Sequence, residues 1–320
     1  EKGYDVLYKS TISIYDIRRS NTYAVLWFQL ATVGFLTDAV YPYLECKKPK
    51  AVYVTVEGIP KKTTLIYSNI PKMEFIAVSN FVAKCLSHAG LKVKDVVHHA
   101  VDMEVSKKAI AKSKRIKRQI DEQVGDRVKF LYVGRNDPRK ALPKLSMAID
   151  KLNEEMESEF AVIMKTEPSA KPLFTQKNVF FIQEFGSNKW IDVLALMASV
   201  DYLVHPAVCE GFGLPVLEAN SVGTPVVHCW CPPMDEFSSK VFNFVFDYED
   251  IDVVECGKSQ YWLFHDYDPF DLAEMMKYAI EVRKDSTDEY EEYRRQAMEH
   301  AKNWDYHIVY SKLLRHLDIE

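Results

Sequence analysis

Short apolar runs rich in β-branched and aromatic residues alternate along the chain with longer stretches of helical periodicity. Strands are predicted at 51–56, 75–78, 95–99, 128–133, 160–164, 179–182, 201–204 and 224–228. Several of these runs are apolar nearly throughout, as parallel strands covered on both faces are. Helical segments at 80–88, 141–155, 190–198 and 215–222 lie between many of them. Strand–helix alternation of this kind predicts an α/β fold with parallel sheets.

Three stretches depart from the alternation. The uncharged segment 20–37 is 18 residues long, the lower edge of a membrane span. It contains Ser20, Asn21, Thr22, Gln29, Thr32, Gly34 and Thr37, so it predicts a buried helix of a folded domain instead. Segment 106–126 crowds Lys107, Lys108, Lys112, Lys114, Arg115, Lys117 and Arg118 among few large apolar residues. It predicts a charged connector between two α/β domains, with peripheral contact to an anionic lipid surface through 107–118 as the secondary reading. Segment 288–317 predicts a charged helix with Trp304, Tyr306, Ile308, Val309, Leu313 and Leu314 as its apolar stripe.

Composition narrows the class. The chain has 320 residues, 48 % hydrophobic and 27 % charged, which is globular composition and enough length for two domains. Lys and Arg number 41 against 46 Asp and Glu, a net −5, which gives no electrostatic footprint for nucleic acid. Six cysteines spread over this length predict reduced thiols and a cytoplasmic setting. The sequence begins Glu1-Lys2-Gly3 without a signal-peptide pattern.

The chemistry concentrates around Glu210-Gly-Phe-Gly-Leu-Pro-Val-Leu-Glu218. A strand ends at Pro206, a turn follows at Gly211-Phe212-Gly213, and a helix opens with Pro215 and stops at Gly223. The free N–H groups near Gly213 and Leu214 make that helix N-terminus an anion site, and glycine lets the backbone approach the anion closely. Glu210 and Glu218 bracket the turn; beside a phosphate they suit hydroxyls better than the anion itself. An anion flanked by hydroxyls describes a nucleotide diphosphate-sugar. A corner whose carboxylates only cap and solvate is the plain alternative. A second cluster weighs against it: Phe130–Val133 leads through Gly134 to Arg135 and Lys140 ahead of a helix. Two cations at a strand's carboxyl end suit a diphosphate, where ligands of such sheets bind.

The first segment, with Gly223-Thr-Pro-Val-Val227, resembles the signature of retaining glycosyltransferases of family 4 (glycosyl transferases group 1), and Val133-Gly-Arg-Asn-Asp-Pro-Arg-Lys140 is similar to that family's other donor-site motif. Segments 75–81 and 97–102 resemble the end of its first domain, and Trp304 falls where its last helix crosses back. The resemblance runs from about 51 to 310. It implies a GT-B fold of two Rossmann-like parallel-sheet domains facing a cleft, the first one shortened. Residues 1–120 would be the acceptor-side domain, with a C-terminal helix at 304–320 packing back on it, and 121–303 the nucleotide-sugar domain. It further implies retaining transfer of a sugar to an acceptor hydroxyl of a glycan, a lipid or a protein glycan, by a front-face mechanism without a bound metal or cofactor. Arg135 and Lys140 would neutralise the leaving diphosphate, helped by the N–H groups near Gly213 and Leu214, with Gly211 and Phe212 also in the donor site; Glu210 would hold the sugar hydroxyls and Glu218 the ribose.

The sequence departs from the family in two respects. No Gly-rich loop precedes Glu57, and Glu57-Gly58 stands where members often carry a histidine, leaving Glu57 and His98 as acceptor-side candidates. Lys165, Thr166 and Phe185, at strand ends, are placed to hold the nucleotide base. His205 and the His98-His99 pair weigh equally as site residues or buried structural ones. His228 with Cys229 and Cys231 lacks a second pair at zinc-ligand spacing, so these read as buried free thiols. Rival readings are a nucleotide-sugar epimerase or phosphorylase on the same fold, and a nucleotide-sugar binding protein without transfer. A dinucleotide dehydrogenase is disfavoured, because no Gly-x-Gly-x-x-Gly follows a strand.

Overall fold

The computed structural model describes residues 5–29, 33–66, 69–182 and 186–319. The first part of the chain forms α1 (Ile14–Arg18), β1 (Val25–Gln29), α2 (Val40–Glu45), β2 (Lys50–Val54), β3 (Gly58–Pro60), α3 (Lys62–Ile66), β4 (Glu74–Ala77), α4 (Asn80–His88) and β5 (Lys92–Val96). Its sheet has the order β1-β2-β4-β5, parallel throughout. After the long α5 (Met103–Val124) come β6 (Val128–Val133), α6 (Leu142–Met156), β7 (Phe160–Lys165), β8 (Val179–Phe181), α7 (Trp190–Met197), β9 (Tyr202–His205), α8 (Leu214–Ser221), β10 (Val226–Cys229) and β11 (Phe244–Phe246). These strands form a six-stranded parallel sheet, β11-β10-β9-β6-β7-β8. The chain ends through β12 (Asp250–Cys256), β13 (Gln260–Asp266), α9 (Pro269–Asp285), α10 (Thr287–Ala301), α11 (Tyr306–Val309) and α12 (Ser311–Arg315).

All eight predicted strands are present, the one expected at 95–99 lying three residues earlier as β5, and the central residues of β2, β4, β6, β7, β9 and β10 are buried, as with Val52, Val54, Phe75, Phe130, Leu131, Val162, Leu203 and Val226. The stretch 20–37 is a correction. It holds a strand, Val25–Gln29, followed by a 3-10 helix at Val33–Ala39, not one buried helix. The Val-Leu-Trp-Phe run fits the pleat of an edge strand paired with β2.

The predicted connector at 106–126 is also corrected, because it is mostly one 22-residue helix. Asp102 caps it by accepting from the Val105 N–H at 2.9 Å, and Gly125 ends it at φ 68°. Its buried face is built of Ser106, Ala109, Ser113, Ile120 and Val124. Small residues let α5 lie close on α7 and α8, with Ser106 and Ser221 hydroxyls 2.8 Å apart. Few large apolar residues were needed, which is why the composition resembled a linker. The seven cations of 107–118 are exposed on the outer face.

The predicted C-terminal helix breaks in the structure. Asp305 leaves helical geometry, pairs as a parallel bridge with Val101, and accepts from the Met103 and His307 N–H groups. The segment after it returns to the first sheet, where His316 meets Asp95 at 2.8 Å and Tyr23 donates to the Asp318 carbonyl.

A hairpin that joins the two halves has no counterpart among the predictions. Strands β12 and β13 make an antiparallel hairpin between β11 and α9, and β13 pairs with β3 of the first unit. The resulting three-stranded sheet, β12-β13-β3, joins the two halves of the chain.

Candidate active site

The residues after β6, the end of β9 and the turn beyond it, and the residues after β2 converge on one buried cluster of charge. Strand β9 ends at His205, and the chain then passes Glu210 into the turn that opens α8. Gly213 takes φ 91° there, a left-handed conformation that suits glycine; a Cβ at this residue would also lie 2.6 Å from Met234 Cγ. Pro215 follows in the first turn, and the leading amides of α8 have no intrahelical acceptor, as at any helix start.

Gly211 faces the first sheet. A Cβ there would sit 2.2 Å from Thr55 Oγ1, so only glycine allows this turn to meet the end of β2. Phe212 stacks on Phe237 at 4.5 Å and 10°, with His99 edge-on at 5.1 Å and His98 at 6.2 Å. The Gly-Phe-Gly turn is thus clamped between the two halves.

Glu210 is 6 % exposed. One of its oxygens pairs with Lys140 Nζ and lies 3.1 Å from His205 Nε2; the other is 3.1 Å from the Arg139 guanidinium. Burial alone would push this carboxyl up, but Lys140, His205 and Arg139 together hold it well below the usual carboxylate range. Glu57 comes in from the other half, with Arg139 at 3.8 Å and Gln260 donating at 3.4 Å. Burial pushes Glu57 up, Arg139 pulls it down, and Glu210 adds to the upward shift. His205 is buried and pushed down by desolvation, against the pull of Glu210. Asp137 adds a third carboxylate beside Arg139, at 3.7 Å.

Arg135 is placed elsewhere. Its side chain is 73 % exposed and pairs with Glu167 at 3.1 Å. The chain leaves β6 at Gly134, and Arg135 points toward the end of β7 before the turn at Pro138–Lys140 begins. That 3-10 turn, capped by Asp137 on the Arg139 N–H at 3.2 Å, delivers Arg139 and Lys140 to Glu210 instead. Arg139 went unread in the sequence, although its place beside Lys140 in a Pro-initiated turn was a usable signal.

Glu218 lies one turn inside α8, accepting from the Trp190 indole at 2.7 Å; burial raises it, and that bond opposes the rise. Lys165 is buried at the end of β7 and donates to Asn188 at 2.7 Å. Thr166 is 2 % exposed, and its hydroxyl has no hydrogen-bond partner among the described residues. Phe185 lies outside the described residues. His98 Nε2 is 2.9 Å from Glu236, whose carboxylate also accepts from the Asn80 and Phe81 N–H groups at the start of α4. Cys229 and Cys231 are fully buried free thiols.

A family model described as glycosyl transferases group 1 matches residues 113–300, more than half of the chain, and takes in Arg139, Lys140, His205 and Glu210 of this cluster. The chain belongs to the group 1 glycosyltransferases. Among relatives, this glycosyltransferase is 28 % identical over 284 residues to an uncharacterized glycosyltransferase of Sulfolobus islandicus rod-shaped virus 1, covering 87 % of this chain and 83 % of that one. Among solved structures, a glycosyltransferase from Rickettsia africae aligns with TM-score 0.69 at 15 % identity, over 96 % of this chain and 79 % of that one. The Anabaena protein HepE, solved in complex with UDP-glucose, aligns with TM-score 0.67 at 17 % identity, over 91 % and 78 %. The fold of this group 1 glycosyltransferase is accordingly GT-B, with two parallel-sheet Rossmann-like units. Among the described residues, no helix is long and apolar enough to cross a membrane.

Proposed function

We propose that this glycosyltransferase takes a nucleotide diphosphate-sugar as donor and transfers the sugar, with retention at the anomeric carbon, to a hydroxyl of a carbohydrate, lipid-linked or protein-glycan acceptor. The observation that carries the reading is the placing of Arg139 and Lys140 around buried Glu210, beside the open first turn of α8. Two fixed cations and a helix N-terminus counter the negative charge that a departing diphosphate develops, and such preorganised charge is usually the largest catalytic term. The solved complex of HepE with UDP-glucose supports a donor of this class.

In this reading the diphosphate draws Lys140 and Arg139, and Arg135 turns from Glu167 to the outer phosphate. Glu210 then holds the sugar hydroxyls near the reacting carbon. Glu218 exchanges the Trp190 indole for the ribose hydroxyls, and the Lys165–Thr166 corner receives the base, giving the Thr166 hydroxyl a partner. The acceptor hydroxyl approaches from the Glu57 side. It attacks on the face the diphosphate leaves, and the departing phosphate oxygen takes its proton. The cations do the work a bound metal would otherwise do, so no cofactor is required. The exposed cations of α5 would lie against an anionic lipid surface when the acceptor is lipid-linked.

The test is a screen of UDP, GDP and ADP for thermal stabilisation, followed by turnover of the matching sugar donors with NMR assignment of the product anomer. A ligand at a hundred times its Kd adds about 2.7 kcal/mol of stability. Stabilisation by none of the three, or an inverted product, would overturn the reading.

A further inference from the structure

Gln260, Trp262, Phe264 and Asp266 occupy alternate positions of β13, so the pleat turns all four to one face of the three-stranded sheet. Contacts fix both ends of that face. At one end Gln260 donates to Glu57 at 3.4 Å, and Glu57 leads directly to Arg139. At the other end Asp266 pairs at 3.1 Å with Lys144 of α6, four residues beyond Lys140. Trp262 and Phe264 therefore lie on the span between these two anchors, beside the turn that carries the site's cations.

The two rings are nearly parallel, 17° apart with centroids at 5.8 Å, and both are half-buried. Opposite Trp262 in the β3–β13 register stands Gly58, which brings no side chain to that face. Glycine is required there, since a Cβ would lie 1.9 Å from the Tyr261 carbonyl oxygen. The hairpin belongs in sequence to the donor-side half, yet it pairs with the strand that immediately follows Glu57.

We propose that Trp262 and Phe264 form the stacking platform for a pyranose ring of the acceptor; this rests on the transferase reading and names where its second substrate binds. A pyranose presents a face of weakly positive C–H groups inside a rim of hydroxyls. The C–H face matches the negative face of an aromatic ring. The rim matches polar groups at both ends, here Gln260 with Glu57 and Asp266 with Lys144. A lipid chain has no use for such polar ends, and the donor's base has its own candidates at the end of β7.

The test is saturation-transfer NMR on the full chain. The probes are methyl α-D-mannopyranoside, methyl α-D-glucopyranoside and methyl β-D-galactopyranoside, each with saturating nucleotide diphosphate. At least one glycoside should receive transfer. Trp262→Ala should weaken its binding about tenfold, Trp262→Tyr should keep most of it, and the nucleotide Kd by calorimetry should stay within about twofold. Circular dichroism checks that each variant is folded, and Phe264→Leu gives a second, milder probe of the platform. The proposal is overturned by no transfer to any glycoside in the unmodified chain, by equal transfer in Trp262→Ala, or by matching losses of glycoside and nucleotide affinity. The last result would give the platform to the donor. Failure of the transferase reading shows separately, as absent donor turnover in the unmodified protein.

Discussion

The Arg139 guanidinium reaches across from the six-stranded half to stand 3.8 Å from Glu57, three residues beyond the end of β2 in the other half. Both are largely buried. This pair, with Glu210 on the far side of Arg139, makes the charge balance of the site depend on both halves being in place.

Arg139→Ala leaves two buried carboxylates with Lys140 as their remaining cation. Removing one partner from a buried ion pair costs about 3–5 kcal/mol. The expected outcome is a melting temperature several degrees lower and a much reduced rate. Arg139→Lys should recover part of the stability but less of the rate, since the planar fork is lost. Calorimetric melting and nucleotide-release kinetics check both.

Lys140→Ala and Glu210→Gln each should lower donor turnover about a hundredfold, the scale for removing one preorganised electrostatic contact. Arg135→Ala should cost less, because its side chain is exposed and paired with Glu167 away from the cluster. Full activity in either of the first two variants would remove the site assignment.

Gly211→Ala should push the Gly211–Gly213 turn away from β2, because the new methyl would meet Thr55 Oγ1 at 2.2 Å. Turnover is expected to fall more than about tenfold, a 1 Å displacement being enough for such losses. Thr55→Ala removes the obstructing hydroxyl, so the double variant should recover part of the loss. Additive losses in the double variant would show that the contact is not what requires glycine.

Stability should depend on pH through His99. Burial, with His98 alongside, pushes its pKa down to about 4. The unfolded chain then binds a proton that the folded one refuses as pH falls from the ordinary histidine value toward that figure. His99 thus favours the folded state fully at neutral pH, and about 3 kcal/mol is lost between pH 6.5 and 4. Glu57, raised by burial, acts oppositely: it opposes folding at neutral pH, and this penalty lessens as pH falls and it protonates. Urea unfolding at pH 7.5 and 5.0 should show a smaller difference in His99→Gln than in the unmodified chain. An unchanged difference would exclude His99 as the source.

The α/β class, the strands of both parallel sheets apart from β1 and β11, and the Gly211-Phe212-Gly213 turn that opens α8 were legible from the sequence. Buried parallel strands are continuous apolar runs, and the Pro-started, Gly-ended α8 announces its own boundaries. The placing of Glu210 and Lys140 beyond strand ends was legible for the same reason, being set by local turn geometry. What the sequence left open depends on contacts between distant segments. A helix packed through Ser106, Ala109 and Ser113 has no large apolar stripe to betray it. Arg139, not Arg135, faces Glu210 because a three-residue turn aims it there, and which of two neighbouring cations is buried follows from where β7 and β9 end. The β12–β13 hairpin has an exposed edge and weak alternation, and its partner β3 lies about two hundred residues earlier. Local propensity cannot specify such a pairing. Only the folded chain brings Gln260 to Glu57 and pairs β13 with β3.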